Sequence, residues 1–212
     1  GLGDVYKRQI LQHSLIRSHA ASTGAEVERE VIRAMMLLRL KTMASGHTGV
    51  RREVVLGYAA MLNAGITPIT GEYGSLGCSG DLAPLAHAAL ALTGEGIVRD
   101  KAGTQMPAAE ALAAAGLKSI TLREKEGLAL INGTDGMLGQ LILALTDLDT
   151  LVTTADLTTA MTVQALCGID AVFAPDLQAL RPHEGQKLSA ANIAALLKDS
   201  PLIQAGKSEE SK

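Results

Sequence analysis

The near absence of aromatic side chains is the feature that most narrows the fold of this 212-residue chain. It has one Phe, three Tyr and no Trp, although 47% of its residues are hydrophobic. β-Sandwiches and barrels depend on aromatic and β-branched residues, whereas the Ala and Leu that dominate here favour helices. The composition therefore predicts a mainly α protein, and the length of 212 residues allows one domain or two.

Charge and cysteine usage exclude several classes of function. Nineteen basic and 22 acidic residues give a net charge of -3, which argues against a nucleic-acid or anionic-membrane surface. Cys78 and Cys167 have no Cys or His partner at metal-ligand spacing, so we predict no metal site, and Cys167 is expected to be a small core hydrophobe. The longest uncharged apolar-rich stretches, residues 136–146 and 157–169, are shorter than the ~20 residues of a membrane-spanning helix. We expect a cytoplasmic protein without a signal peptide, a membrane span or a nucleic-acid partner.

Both ends of the chain differ from its interior. Residues 1–9 (GLGDVYKRQ) are polar and are interpreted as a non-native leader. Residues 206–212 (GKSEESK) read as a polar tail. We therefore expect residues 10–205 to form a single helical fragment.

The spacing of apolar residues predicts the elements within that fragment. Val27, Val31, Met35 and Leu38 lie on one helix face and predict a helix over residues 27–44. Further patterns predict the end of a helix over 10–21, helices over 51–64, 81–93, 107–115, 124–131, 135–168 and 189–198, and a small hairpin over 97–106. Residues 66–80 contain one Pro and four Gly and predict a long loop, which in a compact domain is usually functional.

The glycine-dense segment of residues 74–85 (GSLGCSGDLAPL) leads into a predicted helix, and its residues allow several readings. A phosphate-binding loop is disfavoured because the Lys-Ser/Thr pair of that motif is missing. A thiol nucleophile at Cys78 is conceivable because a helix N-terminus lowers the pKa of a cysteine, although no His adjoins it in sequence. A plain structural turn is the remaining alternative.

The same segment resembles the prosthetic-group loop of the aromatic amino acid ammonia-lyase family, and within it the members that act on histidine. Three further segments are similar to family segments and occur in the same order, namely residues 18–20 (SHA), 124–134 (EKEGLALINGT) and 181–183 (RPH). Cys78 stands where most members have Ala, a variant shared by some bacterial members that act on histidine. The resemblance implies a helical bundle of the ammonia-lyase type, truncated at both ends.

In that family such a tripeptide cyclises by itself to a methylidene-imidazolone, here from Cys78, Ser79 and Gly80. The amide nitrogen of Gly80 closes a ring on the carbonyl carbon of Cys78, and the missing Cβ of Gly80 makes this close approach inexpensive. Ser79 loses its hydroxyl as water and becomes the exocyclic methylidene, while the Cys78 side chain stays outside the ring. Asp81 and the following helix N-terminus are expected to hold the loop and polarise the electrophile. No metal or external cofactor is implied.

Two further residues acquire roles only through the resemblance. Asn132, by itself a turn or cap residue between two helices, is implied to be an active-site amide. His19, by itself a half-buried structural histidine, falls with Ser18 at the family's substrate-selectivity pair and is implied to contact the substrate. The remaining histidines are expected to occupy polar surface or helix positions: His13, His47, His87 and His183.

The resemblance implies a function in histidine degradation for the whole protein. It would eliminate ammonia from L-histidine to give urocanate, as a homotetramer. The tyrosine bases and the arginine that binds the substrate carboxylate are implied to lie outside this chain, so the fragment alone is expected to be inactive. The alternatives are a tyrosine or phenylalanine ammonia-lyase or aminomutase on the same scaffold, and a non-catalytic helical module.

Overall fold

The computed structural model describes residues 2–78 and 80–203, and these are mainly helical, as predicted. The chain divides into two compact units, residues 1–144 and 145–212. Residues 206–212, the predicted polar tail, lie outside the described part of the chain. The expected domain organisation, including the non-native origin of residues 1–9, stays a prediction.

The first unit contains most of the helices. They are α1 (Leu2–His19), α2 (Arg29–Ala44), α3 (Arg52–Asn63), α4 (Leu82–Leu92), α5 (Ala108–Ala114), α6 (Glu126–Ile131) and the first part of α7 (Asp135–Ala165). Most bounds lie within a few residues of those predicted. The largest difference is at α1, which begins at Leu2 and so includes most of the predicted leader.

Five short strands form two small antiparallel sheets in this unit. β1 (Thr23–Glu26) pairs with β3 (Gly71–Tyr73), and β4 (Ile97–Arg99) lies between β2 (Thr67–Pro68) and β5 (Gln105–Pro107). The pairing of β4 with β5 confirms the predicted hairpin. The predicted long loop over residues 66–80 contains the short strands β2 and β3, which the sequence did not indicate because strands of two or three residues are too short to show alternation.

The core of the first unit is organised around α4. Eight of its residues are buried, and it packs against α1, α2, α3, α5 and α6. Its many Ala side chains are small, so neighbouring helices can approach it closely. The segment that precedes α4 is therefore attached to the most enclosed helix of the unit.

The second unit contains the rest of α7, a short 3-10 helix (Asp170–Phe173), α8 (Pro175–Gln178) and α9 (Glu184–Leu197). Its small core is formed by Ala160, Ile193, Leu197 and Ile203. α9 begins five residues before its predicted start, because Gly185 weakens the helical pattern of its first turn. Cys167, expected in the core, is instead exposed in the turn after α7, with φ +49°.

Helix α7 carries a row of large apolar side chains that are exposed in this chain. They are Leu138, Leu141, Ile142, Leu145, Leu148, Leu151, Val152, Leu157 and Met161. By length and composition alone, the stretch Glu126–Ala165 is apolar enough to cross a membrane, a test that the core helix of a bundle also passes. The absence of a membrane span therefore stays a prediction.

Candidate functional site

The glycine-rich segment runs from the end of β3 to the start of α4. Cys78 is exposed in it, Gly80 is buried, and Ser79 lies outside the described residues. Helix α4 begins at Leu82, so the segment ends at the electropositive N-terminus of a helix. The position suits an electrophile, whose developing negative charge such a terminus stabilises.

Asp81 joins this loop to the turn between α6 and α7. Its side chain is fully buried. Its Oδ1 accepts a hydrogen bond from the Ser75 hydroxyl, and its Oδ2 accepts one from the Met137 N–H at 2.8 Å. The Asp81 N–H donates to the Gly133 carbonyl at 2.7 Å. Asp81 thus holds the loop through bonds across the fold and makes no side-chain bond that caps α4.

Two glycines allow the turn to lie this close to its neighbours. A Cβ on Gly136 would be 3.2 Å from Cγ of Asp81. A Cβ on Gly133 would overlap the Asp135 carboxylate and lie 3.0 Å from Nη1 of Arg39. Real Cβ atoms seldom approach other atoms so closely, so a side chain at Gly136 would press on Asp81, and one at Gly133 would force the Asp135 carboxylate to shift.

Asn132 ends α6 and is exposed at the start of this turn. Its backbone carbonyl accepts a hydrogen bond of 2.6 Å from Nη1 of Arg39, and the same nitrogen donates to the Ala129 carbonyl at 3.3 Å. The turn that carries Asn132 is bonded, through Gly133, to the residue that follows the Cys78–Gly80 segment. Two of the predicted site segments are therefore brought together, while the roles of their residues stay predictions.

A buried polar cluster lies behind the turn, and sequence reasoning missed it. Nε of Arg39 is 3.3 Å from Oδ2 of Asp135, and the Tyr58 hydroxyl is fully buried. Within the described part of the chain, none of these three atoms has a hydrogen-bond partner. Burial raises the pKa of Asp135 more than the Arg39 guanidinium lowers it, and the Asp81 carboxylate raises it further. Burial likewise raises the pKa of Tyr58.

The position of Arg39 on the core face of α2 could have been recognised from the sequence. The predicted stripe includes Leu38, but the structure buries Arg39 between Met35 and Met43, at a spacing of four residues. An arginine at a core position requires polar partners. An Arg on a stripe of Met could therefore have indicated a buried polar site.

His19 is the last residue of α1 and is half-buried. Its Nδ1 lies 2.7 Å from the Leu15 carbonyl and 3.0 Å from the Ser18 hydroxyl. Both neighbours belong to its own helix, so its contact with substrate stays a prediction.

The chain that follows His19 is bonded to the strand that leads into the loop. Besides the pairing of β1 with β3, the Ser22 hydroxyl accepts a hydrogen bond from the Gly71 N–H at 2.8 Å. The same hydroxyl lies 2.8 Å from Nε2 of His87, which is half-buried and whose pKa is lowered by burial. His87, expected at an ordinary helix position, thus helps to fasten these segments to α4.

The chain is similar in sequence to proteins of one enzyme family. A family model described as aromatic amino acid lyase matches residues 3–212. A histidine ammonia-lyase of Streptomyces coelicolor is 63% identical over 192 residues, which are 91% of this chain and 38% of that protein. The chain thus spans about two-fifths of the length of the curated relatives it matches.

Solved structures share the fold. Histidine ammonia-lyase from Trypanosoma cruzi is 36% identical with a TM-score of 0.87, over 96% of this chain and 40% of that one. Tyrosine aminomutase from Streptomyces globisporus is 39% identical with a TM-score of 0.86, over 97% of this chain and 40% of that one. The predicted helical architecture of the ammonia-lyase type is confirmed. Because the family model covers nearly the whole chain, and the similar structures superpose over nearly all of it, the chain belongs to the aromatic amino acid lyase family.

Proposed function

We propose that the whole protein containing this chain eliminates ammonia from L-histidine to give urocanate. The observation that carries the proposal is the tie made by buried Asp81, which bonds the Cys78–Gly80 loop to the turn of Asn132. The 63% identity to a protein named histidine ammonia-lyase supports histidine as the substrate. Histidine degradation is the corresponding metabolic role.

The loop residues fit a methylidene-imidazolone formed from Cys78, Ser79 and Gly80. Gly80 is buried, and a Cβ there would be 3.1 Å from Cγ of Leu82, so a side chain at this position would press against Leu82 at the start of α4. Ser75 and Asp81 bond to each other across the tripeptide, which brings the two ends of the loop together. When formed, the group supplies an electrophile that makes the substrate's amine a better leaving group.

The chain's own residues then have distinct tasks. Asp81 holds the loop, and the N-terminus of α4 stabilises negative charge that develops there. Asn132 supplies an exposed amide that hydrogen-bonds the substrate or the prosthetic group. His19 contacts the substrate side chain. The proton on the substrate β-carbon is weakly acidic, and the base that removes it is proposed to lie outside this chain.

The decisive experiment compares two neighbouring substitutions in the full-length protein. Ser79→Ala removes the hydroxyl that must leave, so kcat should fall by several orders of magnitude. The variant should still fold, because one hydroxyl contributes only ~1 kcal/mol net. Cys78→Ala should keep most activity, because the ring uses only the backbone of that residue. Intact mass should show the loss of two water molecules in Cys78→Ala and not in Ser79→Ala.

A thiol-nucleophile enzyme predicts the reverse order. An inactive Cys78→Ala together with an active Ser79→Ala would overturn the proposal.

The second candidate is a tyrosine or phenylalanine ammonia-lyase or aminomutase, favoured by the shared fold of tyrosine aminomutase. Turnover of histidine, tyrosine and phenylalanine by the full-length protein discriminates between these activities. His19→Leu should lower kcat/KM for histidine more than for the other two substrates. An unchanged kcat/KM for histidine would remove His19 from the substrate pocket.

We further propose that the whole protein is a homotetramer located in the cytoplasm. The exposed apolar row on α7 supports assembly, because such rows usually mark interfaces. The isolated 212-residue chain should then be inactive and should associate nonspecifically. A compact, well-behaved monomer in size-exclusion chromatography would favour the non-catalytic helical module instead.

A further inference from the structure

We propose that Arg39 is a positioning residue that fixes the Asn132 side chain for the reaction. The inference rests on the proposed function, in which Asn132 is the active-site amide. Arg39 is 4% exposed, so it reaches neither solvent nor an open substrate site. It acts through the backbone of the turn.

Arg39 completes hydrogen bonds at the end of α6. The last carbonyls of a helix lack partners within the helix, and a cation at that end is favoured by the helix dipole. Arg39 meets both needs, since Nη1 donates to the carbonyls of Ala129 and Asn132 at 3.3 and 2.6 Å. The shorter bond fixes the peptide that leaves Asn132, and with it the direction in which the Cα–Cβ bond of Asn132 points.

Arg39 also forms an ion pair on the far side of the turn. Nε of Arg39 lies 3.3 Å from Oδ2 of Asp135, the first residue of α7. One guanidinium therefore holds the turn at Asn132, where it begins, and at Asp135, where it ends. Asp81 holds the same turn from the loop, through Gly133 and Met137. The position of Asn132 relative to the loop is thus determined by two independent attachments.

The contacts of Arg39 are poorly optimised for stability alone. Burying a guanidinium is costly unless its hydrogen bonds are complete. Within the described residues, Nε of Arg39 and Oδ2 of Asp135 have no hydrogen-bond partner although they form an ion pair. A methionine would continue the stripe of Met35 and Met43 without this cost. The well-formed bond of Arg39 is the one to the Asn132 carbonyl, which indicates a positional role.

A double-mutant cycle in the full-length protein tests the inference, with Arg39→Met, Asn132→Ala and the combined variant. Arg39→Met should lower kcat by about a hundredfold, the order expected when a reacting group is displaced by about 1 Å. Intact mass should still show the loss of two water molecules, because Asp81 continues to hold the loop. The combined variant should be no slower than Asn132→Ala, since Arg39 acts through that side chain.

Arg33→Met is the matched control. Arg33 lies on the same helix, and its Nη1 donates to the Leu62 carbonyl near the end of α3 at 3.1 Å. It therefore supports a helix end that is not part of the site. This variant should lose stability without a change in kcat.

The outcomes separate positioning from general support of the fold. If the effects of Arg39→Met and Asn132→Ala multiply, or if Arg39→Met keeps full kcat, the inference is overturned. Where Arg39→Met does not fold, Arg39→Lys replaces it in the same cycle, because a lysine keeps the charge but loses the forked donor geometry.

The results that would overturn the proposed function differ from those that would overturn the positioning role of Arg39. An active Ser79→Ala counts against the reaction itself. An unchanged kcat in Asn132→Ala overturns only the positioning role, and the cycle can be measured with whichever aromatic amino acid the protein turns over.

Discussion

The two ends of helix α6 are held by different kinds of arginine–carboxylate pair. At its start, the Glu126 carboxylate is 2% exposed and accepts bonds from Nε and Nη2 of Arg51 at 2.8 and 2.9 Å. It also accepts the backbone N–H groups of Arg51 and Arg123 at 3.0 and 2.7 Å. Beyond the other end, Arg39 and Asp135 are both buried, whereas Arg51 is partly exposed, and Nε of Arg39 and Oδ2 of Asp135 have no hydrogen bond among the described residues.

As a result, the pKa values of the two carboxyl groups are shifted in opposite directions. Burial alone would raise the pKa of Glu126, but the hydrogen bonds from Arg51 and Arg123 outweigh burial and lower it. Burial raises the pKa of Asp135 more than Arg39 lowers it. The complete pair anchors the helix, while the incomplete pair lies next to the proposed site, where stability is commonly conceded for function.

The largest expected effect comes from breaking the complete pair. Glu126→Ala leaves Arg51 and two backbone N–H groups without their acceptor, so the free energy of unfolding should fall by about 3 kcal/mol. Urea unfolding of the full-length protein measures the loss. Glu26→Ala, which breaks the exposed pair with Arg99, is the control and should cost far less. Similar losses in the two variants would contradict the anchoring role of Glu126.

Replacing a carboxylate by an amide of the same shape should cost less stability in the pair of Arg39 and Asp135 than in the pair of Arg51 and Glu126. Asp135→Asn removes an ionisation that burial disfavours, although it leaves the Arg39 charge unpaired. We expect a smaller loss in the free energy of unfolding than in Glu126→Gln, because the ionisation penalty that is removed offsets part of the lost attraction to Arg39. The same unfolding measurement on both variants decides the order. A larger loss in Asp135→Asn would show that the ion pair at the turn is the stronger of the two.

The smallest effect is a difference in pH dependence. Glu126 has a lowered pKa in the folded state, so its stabilisation is complete above the ordinary carboxyl pKa and is lost as pH falls through the lowered value. Asp135 has a raised pKa in the folded state, so stability is gained as pH falls through that raised value. As pH falls from 7, the difference in free energy of unfolding between wild type and Glu126→Gln should become smaller. The difference between wild type and Asp135→Asn should change in favour of wild type. If the free energy of unfolding of the two variants changed in parallel with pH, the proposed difference between Glu126 and Asp135 would be refuted.

Regular periodicity explains which parts of the fold could be predicted from the sequence. Helix α4 is an apolar run that starts after Asp81 and stops before Gly94, and the hairpin of β4 and β5 has its turn at Lys101 and Gly103. Both signals are local. By contrast, β3 has three residues, and its partner β1 lies almost 50 residues away, so no local pattern could indicate the pairing.

The candidate site was predictable only as separate segments. The loop around Cys78 and the turn at Asn132 each have a distinctive sequence, but their link through Asp81 and Met137 depends on the tertiary fold. Arg39 was missed because a charged residue within an apolar helix face is usually assigned to the adjacent surface. A buried charge is revealed by its partners, and those partners come from another part of the chain.

The distances in sequence between these partners set an order of events during folding. Asp81 bonds to Met137 across 56 residues, Arg39 to Asn132 across 93, and Gln12 to Gly127 across 115. Such non-local contacts form late, because the chain between them must first be ordered. A ribosome that has released residues only as far as α5 has made the loop and Asp81, but not the turn of Gly133 and Met137 to which Asp81 bonds. We therefore expect the proposed ring closure by the Cys78–Gly80 segment to follow synthesis of the turn.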